Sequence, residues 1–226
     1  MKMKLIIPQK KDLKDLNYDY IDTTIDQYYR PVQGYFMRKR LELALTLMKN
    51  KKVDRILDVG YGGGTFMPTL ASLCNELHGI DTLPNPKDVE SILNKQNVKV
   101  KLITGSILKT PYKKNYFDTI VCISVLEHFK GRLLNNAINA MYKILKPGGY
   151  LVLGFPVKNP ITNYIIKNIL NFEPDEIHPS GHKQIIKAIN EEVKIDKIIH
   201  YFPFVPLDFS LYCVVRVKKN KYNVIR

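Results

Sequence analysis

The chain has 226 residues, 45% hydrophobic and 25% charged, enough apolar material for a sizeable core beneath a polar surface. That composition excludes a disordered tail, a collagen-like chain and a disulfide-stapled mini-protein. The formal net charge of +14 raises the prospect of an anionic partner, yet the lysines are scattered and arginine, the bidentate phosphate reader, is scarce.

Residues 1 to 30 are polar and tyrosine-rich, with little periodicity. From Gln33 to Lys49 apolar residues recur at helical spacing (Phe36, Met37, Leu41, Ala44, Leu45, Met48), which predicts an amphipathic helix. RILDVG (55–60) then reads as a strand ending in glycines, followed by a helix over Thr65 to Cys74. ELHGID (76–81), VKVKLITGS (98–106) and FDTIVCIS (117–124) are the next three strands, and a long helix covers Arg132 to Leu145. KPGG (146–149) opens a fifth strand, YLVLGFP. Strands alternating with helices predict a parallel sheet covered on both faces. KIDKIIHYFPF and SLYCVVRVKK are joined too closely for a parallel crossover, so they should pair antiparallel. In between, VKNPITNYIIKNIL (157–170) carries Ile161, Tyr164, Ile165, Ile169 and Leu170 at helical spacing, an apolar face that would lie over a pocket or over the sheet.

No apolar run approaches the roughly 18 residues needed to span a bilayer, and the opening MKMKLIIPQKKD lacks a signal-peptide pattern. Cys74, Cys122 and Cys213 form no CxxC, and two of them sit in strand-like runs, so buried thiols in a reducing, cytoplasmic setting are expected.

The strongest chemical signal is Asp58-Val59-Gly60-Tyr61-Gly62-Gly63-Gly64. Glycines let the chain turn tightly and let a ligand approach the backbone. A dinucleotide fingerprint would need glycine at 65, where threonine stands. The aspartate two positions before the first glycine would repel a pyrophosphate and suits a ligand with a cationic amino-acid tail.

On these residues the chain resembles the class I S-adenosyl-L-methionine (SAM)-dependent methyltransferases of the small-molecule, methyltransferase type 11-like kind, from about residue 35 to the end. The resemblance implies a single α/β, Rossmann-like domain over 33–226, behind an N-terminal lid or extension at 1–32. Its seven-stranded sheet would run 3-2-1-4-5-7-6, the last pair antiparallel, with helices on both faces. SAM would be the cofactor, held by the loop residues Asp58, Gly60, Tyr61, Gly62 and Gly64. Asp81 would accept the ribose hydroxyls. Ser106 stands where the family commonly has an acid for the adenine amino group, which leaves a weaker hydroxyl contact, and Ile107 would pack on the adenine ring. In Cys122–Phe129, similar to the family's "LEH" segment, Ser124 and Leu126 would line the methionine end.

Three histidines are candidate catalytic residues. His128 reads either as a general base at the mouth of the cofactor pocket or as a residue that orders the cofactor loop. His178 and His182 fall after the fifth strand, where related enzymes cover the substrate, and Ser180 between them would cap a helix over Lys183 to Asn190. Pro179 and Gly181 argue against a helical zinc pair, and no metal is expected. Tyr18, Tyr20, Tyr28 and Tyr29 with Arg30 would either form a lid over the cofactor carboxylate or simply pack.

The activity expected is methyl transfer to a small-molecule or lipid-like acceptor with an O- or N-nucleophile. No (N/D)PP(Y/F) segment follows the fourth strand, against methylation of exocyclic base amines, and no Pro-Cys pair could attack cytosine. The alternatives are a methyltransferase for RNA or a nucleic-acid-associated protein, and a non-catalytic SAM-binding module.

Overall fold

In the computed structural model, which describes residues 3–13, 24–48, 51–83, 85–169 and 179–220, the expected strands assemble into one sheet. They are β1 (Val53–Val59), β2 (Cys74–Asp81), β3 (Lys101–Thr104), β4 (Phe117–Ile123), β5 (Leu145–Pro156), β6 (Ile195–His200) and β7 (Tyr212–Lys218), in the order 3-2-1-4-5-7-6. β1 to β5 pair in parallel, and β7 runs antiparallel to both β5 and β6.

Alternation along the strands divides the core in two. On one face Leu57, Ile120, Cys122, Leu151, Leu153, Cys213 and Val215 meet the helices α5 (Arg132–Ile144) and α7 (His182–Glu192). On the other, Ile56, Val121, Val152 and Val214 meet α2 (Pro31–Leu47), α3 (Met67–Ser72) and α4 (Pro86–Asn94). A short α1 (Thr24–Gln27) precedes α2, and α6 (Pro160–Asn168) follows β5. All three cysteines are buried and free. Among the described residues no helix is long and apolar enough to cross a membrane.

Several boundaries shift. α2 begins at Pro31, two residues ahead of the expected Gln33, because proline's fixed φ and missing N–H suit the first helical turn. The expected division at 32/33 therefore falls inside this helix. The helix after the glycine loop covers only Met67–Ser72, and its chain end passes directly into β2. KPGG is no separate turn before β5 but part of that strand, where the β4 register shifts between Phe117 and Thr119. There Gly148 N–H donates to Lys219 O, and Lys219 N–H to Gly149 O. The sequence reading did not include α4; its signals are Val89, Ile92 and Leu93 at helical spacing, and Asn85, whose side chain accepts from Lys87 N–H, followed by Pro86.

Candidate functional site

Strand order reverses between β1 and β4, so the connections leaving their carboxyl ends depart to opposite faces and leave a crevice, the usual ligand position in open α/β sheets. A cavity of about 440 Å³ lies there. β1 supplies one wall. It passes from fully buried Ile56 and Leu57 to Asp58, 4% exposed, and turns at Gly60, whose φ of 75° and lack of a Cβ avoid a collision with the Val125 side chain. Gly60 N–H donates to Ile80 O at 2.8 Å. The Asp81 carboxylate then pins the loop, accepting from Gly62 N–H at 2.8 Å and Leu83 N–H at 3.1 Å. A Cβ on Gly62 would meet nothing within 4 Å, so the backbone here faces open space. Burial, helped by the Asp81 charge, pushes the Asp58 carboxyl up to about 7. A carboxyl so desolvated is poised to regain its charge beside a cationic ligand group.

The opposite wall is built from α2, the β4 end and β7. Arg40 donates from Nη1 to Ser124 Oγ at 3.0 Å and from Nη2 to Tyr28 Oη at 2.9 Å. Ser124 Oγ and Tyr212 Oη share a further bond of 2.8 Å. Ser124 has φ 57°, a left-handed backbone uncommon for serine, fixed by its N–H donating to Gly154 O at 2.8 Å. A Cβ on Gly154 would stand 2.8 Å from Tyr212 Oη, so glycine is what admits that ring. Glu127 is 1% exposed and lines the cavity; burial raises its carboxyl to about 8 against the opposing pull of Arg40. The remaining wall is largely apolar, with Phe36 and Met37 from α2, Ile165 and Ile166 from α6, and Leu211 before β7. β1 and β7 are three strand spacings apart, about 14 Å at about 4.8 Å each. The cavity thus offers a carboxyl and open backbone at one end, a guanidinium between, and an apolar wall at the other.

Of the cofactor and catalytic candidates from sequence, Asp58, Gly60, Tyr61, Gly62, Ser124 and His128 line this cavity. His128 ends a 3-10 turn, Leu126–His128, and is exposed at the cavity mouth. The other described candidates sit elsewhere. Gly64 is turned onto α4, where a Cβ would strike Val89. Asp81 borders the loop rather than the wall. Ser106 caps the turn Ile107–Lys109 by accepting from Leu108 N–H. Ile107 and Leu126 are buried at 3% and 0% in the core beneath α5.

His182 is not brought to the cavity. It is 4% exposed; its Nδ1 accepts from Lys158 N–H at 3.1 Å, and its Nε2 bonds Asp208 Oδ1 at 2.9 Å. His178, Tyr18 and Tyr20 lie outside the described residues. Ser180 does not cap α7. The N-cap is Gly181, whose N–H donates to Gln184 Oε1, while Ser180 Oγ donates to Phe129 O. Arg30 pairs with Asp26 at 3.0 Å on the surface, and Tyr29 Oη bonds Pro8 O, so among the described residues of the expected lid only Tyr28 reaches the wall. α6 is rotated from its expected face: Ile161 and Tyr164 are 56% and 65% exposed, while Thr162, Ile165 and Ile166 line the cavity. Leu170 lies outside the described residues. Sequence reading missed Arg40 and Glu127. The available signals were an arginine adjoining the Met37–Leu41 stripe and an acid flanked by apolar residues directly after β4.

Residues 57–153 match the family model described as "Methyltransferase domain". A protein of unassigned function from Methanocaldococcus jannaschii is 29% identical over 93% of this chain and 95% of its own length. A ubiquinone biosynthesis O-methyltransferase from Xanthomonas euvesicatoria is 31% identical over 58% of this chain and 51% of its own. The chain thus spans about half the length of the curated methyltransferases it matches. Among solved structures, the N-methyltransferase NodS from Bradyrhizobium japonicum, in complex with S-adenosyl-L-homocysteine, superposes with a TM-score of 0.63 at 20% identity, covering 93% of this chain and 97% of that one. At that identity the likeness establishes the fold.

Proposed function

We propose that this chain, which belongs to the class I SAM-dependent methyltransferases, transfers a methyl group to a small or lipid-like acceptor carrying an O- or N-nucleophile. The observation that carries the reading is a continuous cavity that joins a glycine-loop wall to an apolar wall built from α2, α6 and the start of β7.

The residues present fit the cofactor. Asp58, raised to about 7 by burial, would pair with the ammonium of the amino-acid tail. The open backbone at Gly62 would let the nucleoside approach, beside Asp81 for its ribose hydroxyls. Arg40, already bonded to Ser124 and Tyr28, would take the carboxylate. When bound, SAM would supply a methyl group activated by its sulfonium, with S-adenosylhomocysteine as the leaving group. The chain's task is therefore mainly alignment and water exclusion. Ile25 and Tyr28 close the cavity from the N-terminal side, which supports a lid role within 1–32. The acceptor would lie against Ile165, Ile166 and Leu211, a surface suited to an apolar body. For its proton, His128 and Glu127 are the cavity-lining groups within the same turn, and Glu127 at about 8 is near the range useful for proton transfer. The name of the ubiquinone biosynthesis relatives is in keeping with an apolar small acceptor.

The test is transfer of label from methyl-labelled SAM into a cell extract, then separation into small-molecule, organic-soluble, nucleic-acid and protein fractions. The proposal expects label in the small-molecule or organic-soluble fraction. Label confined to nucleic acid or protein contradicts it.

A further inference from the structure

The three elements that wall the acceptor end also carry a collar of apolar side chains turned to solvent. The connection from β6 to β7 exposes Phe202-Pro203-Phe204-Val205-Pro206 in succession, with Phe204 99% exposed and Phe209 63%. α6 exposes Ile161 and Tyr164, and the start of α2 exposes Val32 and Tyr35. Scattered surface hydrophobics need no explanation, but these are joined. Gln33 Nε2 on α2 donates to Ile169 O after α6. Asn159 Nδ2 before α6 donates to Asp208 O and Ser210 O of the connection. The Tyr35 and Tyr201 rings meet edge-on at 6.4 Å, and Phe202 packs on Tyr201 at 5.3 Å. The same elements supply Phe36, Ile165, Ile166 and Leu211 to the cavity, so the collar surrounds its apolar end.

Its charge is net positive. Residues 157–169 contain Lys158 and Lys167 and no acid, and 30–41 contain Arg30, Arg38, Lys39 and Arg40, of which Arg30 pairs with Asp26 and Lys39 with Glu42. The sole acid of the 201–211 connection, Asp208, is paired with Lys183 at 2.7 Å and with His182. Contiguous exposed aromatics set among cations match an anionic bilayer surface, where rings enter the headgroup boundary and lysines meet phosphate.

We infer that this collar docks the protein on anionic phospholipid membranes, with Phe204 at its tip. The docking rests on the collar alone; that it delivers a membrane-dissolved acceptor to the cavity rests on the methyltransferase reading. Among the described residues no helix spans the membrane in this arrangement, and a handful of side chains gives reversible attachment.

Sedimentation of the full chain with vesicles tests it, comparing phosphatidylcholine alone with phosphatidylcholine plus phosphatidylglycerol. Wild type should sediment with the anionic vesicles and be released by raised salt. Phe204→Ser/Phe209→Ser should bind those vesicles about tenfold more weakly or worse, since two buried rings are lost. Leu133→Ser, on α5 across the sheet, should bind as wild type does. Both side chains of the double variant are largely exposed, so folding is preserved. S-adenosylhomocysteine binding should also persist in it, which separates failure of docking from failure of the cofactor reading. Absence of wild-type sedimentation overturns the inference, as does equal binding by the double variant. So does a concentration-dependent dimer, broken by the double variant, in protein that ignores vesicles, since a second copy would then cover the collar.

Discussion

Asp58→Asn should stabilise the ligand-free protein while weakening its cofactor site. In the native chain burial lifts the Asp58 carboxyl from its ordinary 3.8 to about 7, a penalty on the ionised form of about 4 kcal/mol. The native state keeps this proton up to about pH 7, whereas the unfolded chain releases it near 4. The native state therefore binds more protons across that window, and stability falls as pH rises through it. Between about pH 5 and about pH 8 the wild type should lose about 2–3 kcal/mol that Asp58→Asn does not lose. Urea denaturation of both proteins at the two pH values measures the difference directly, and the other titrating groups, Glu127 included, cancel between them. The same carboxylate should make S-adenosylhomocysteine bind up to about 100-fold more tightly at the higher pH, because only about 1% of Asp58 is ionised at the lower one. Asp58→Asn should bind weakly at both. Parallel stability profiles for the two proteins would refute the reasoning.

Asp81→Ala removes the acceptor of two loop N–H groups as well as the ribose partner. It should cost about 1–3 kcal/mol in thermal unfolding and abolish most of the melting shift given by S-adenosylhomocysteine. His182→Ala should lower stability by a similar amount, about 1–3 kcal/mol, because Lys158 N–H and Asp208 lose their shared partner. Its S-adenosylhomocysteine affinity, read by titration, should stay at the wild-type value. Lys219→Met should be costlier: Lys219 Nζ, 5% exposed, donates to Tyr142 O at 2.7 Å and Leu145 O at 2.8 Å at the end of α5. Loss of those bonds at a helix C-terminus should take about 2–4 kcal/mol from the unfolding free energy in urea.

How far the sequence could be read depended on whether a residue's task was local. RILDVG and FDTIVCIS showed as strands because burial on both faces makes their apolar runs continuous. The glycine loop showed because Gly60 must adopt a positive φ against Val125. The short β6–β7 connection dictated an antiparallel pair. Arg40 stayed hidden because its partner Ser124 is 84 positions away, and no helical period tells which flank of a stripe turns inward. The face of α6 was misjudged for a related reason. Asn159 caps the helix through Thr162 N–H and ties it to the β6–β7 connection, and that anchorage fixes its rotation. His182 looked like catalytic chemistry in sequence, but Lys158 and Asp208, far from it along the chain, occupy both ring nitrogens. Leu126 stands beside cavity residues in sequence yet points to the opposite core, because a single 3-10 turn sends neighbours in different directions.

Calorimetric titration of S-adenosylhomocysteine into the ligand-free protein above neutral pH tests the central claim most directly, that the cavity between β1 and β4 is a SAM site. The account predicts saturable binding at one site per chain, strongly weakened by Asp58→Asn. Absence of binding at millimolar ligand, or equal affinity in wild type and Asp58→Asn, would contradict it.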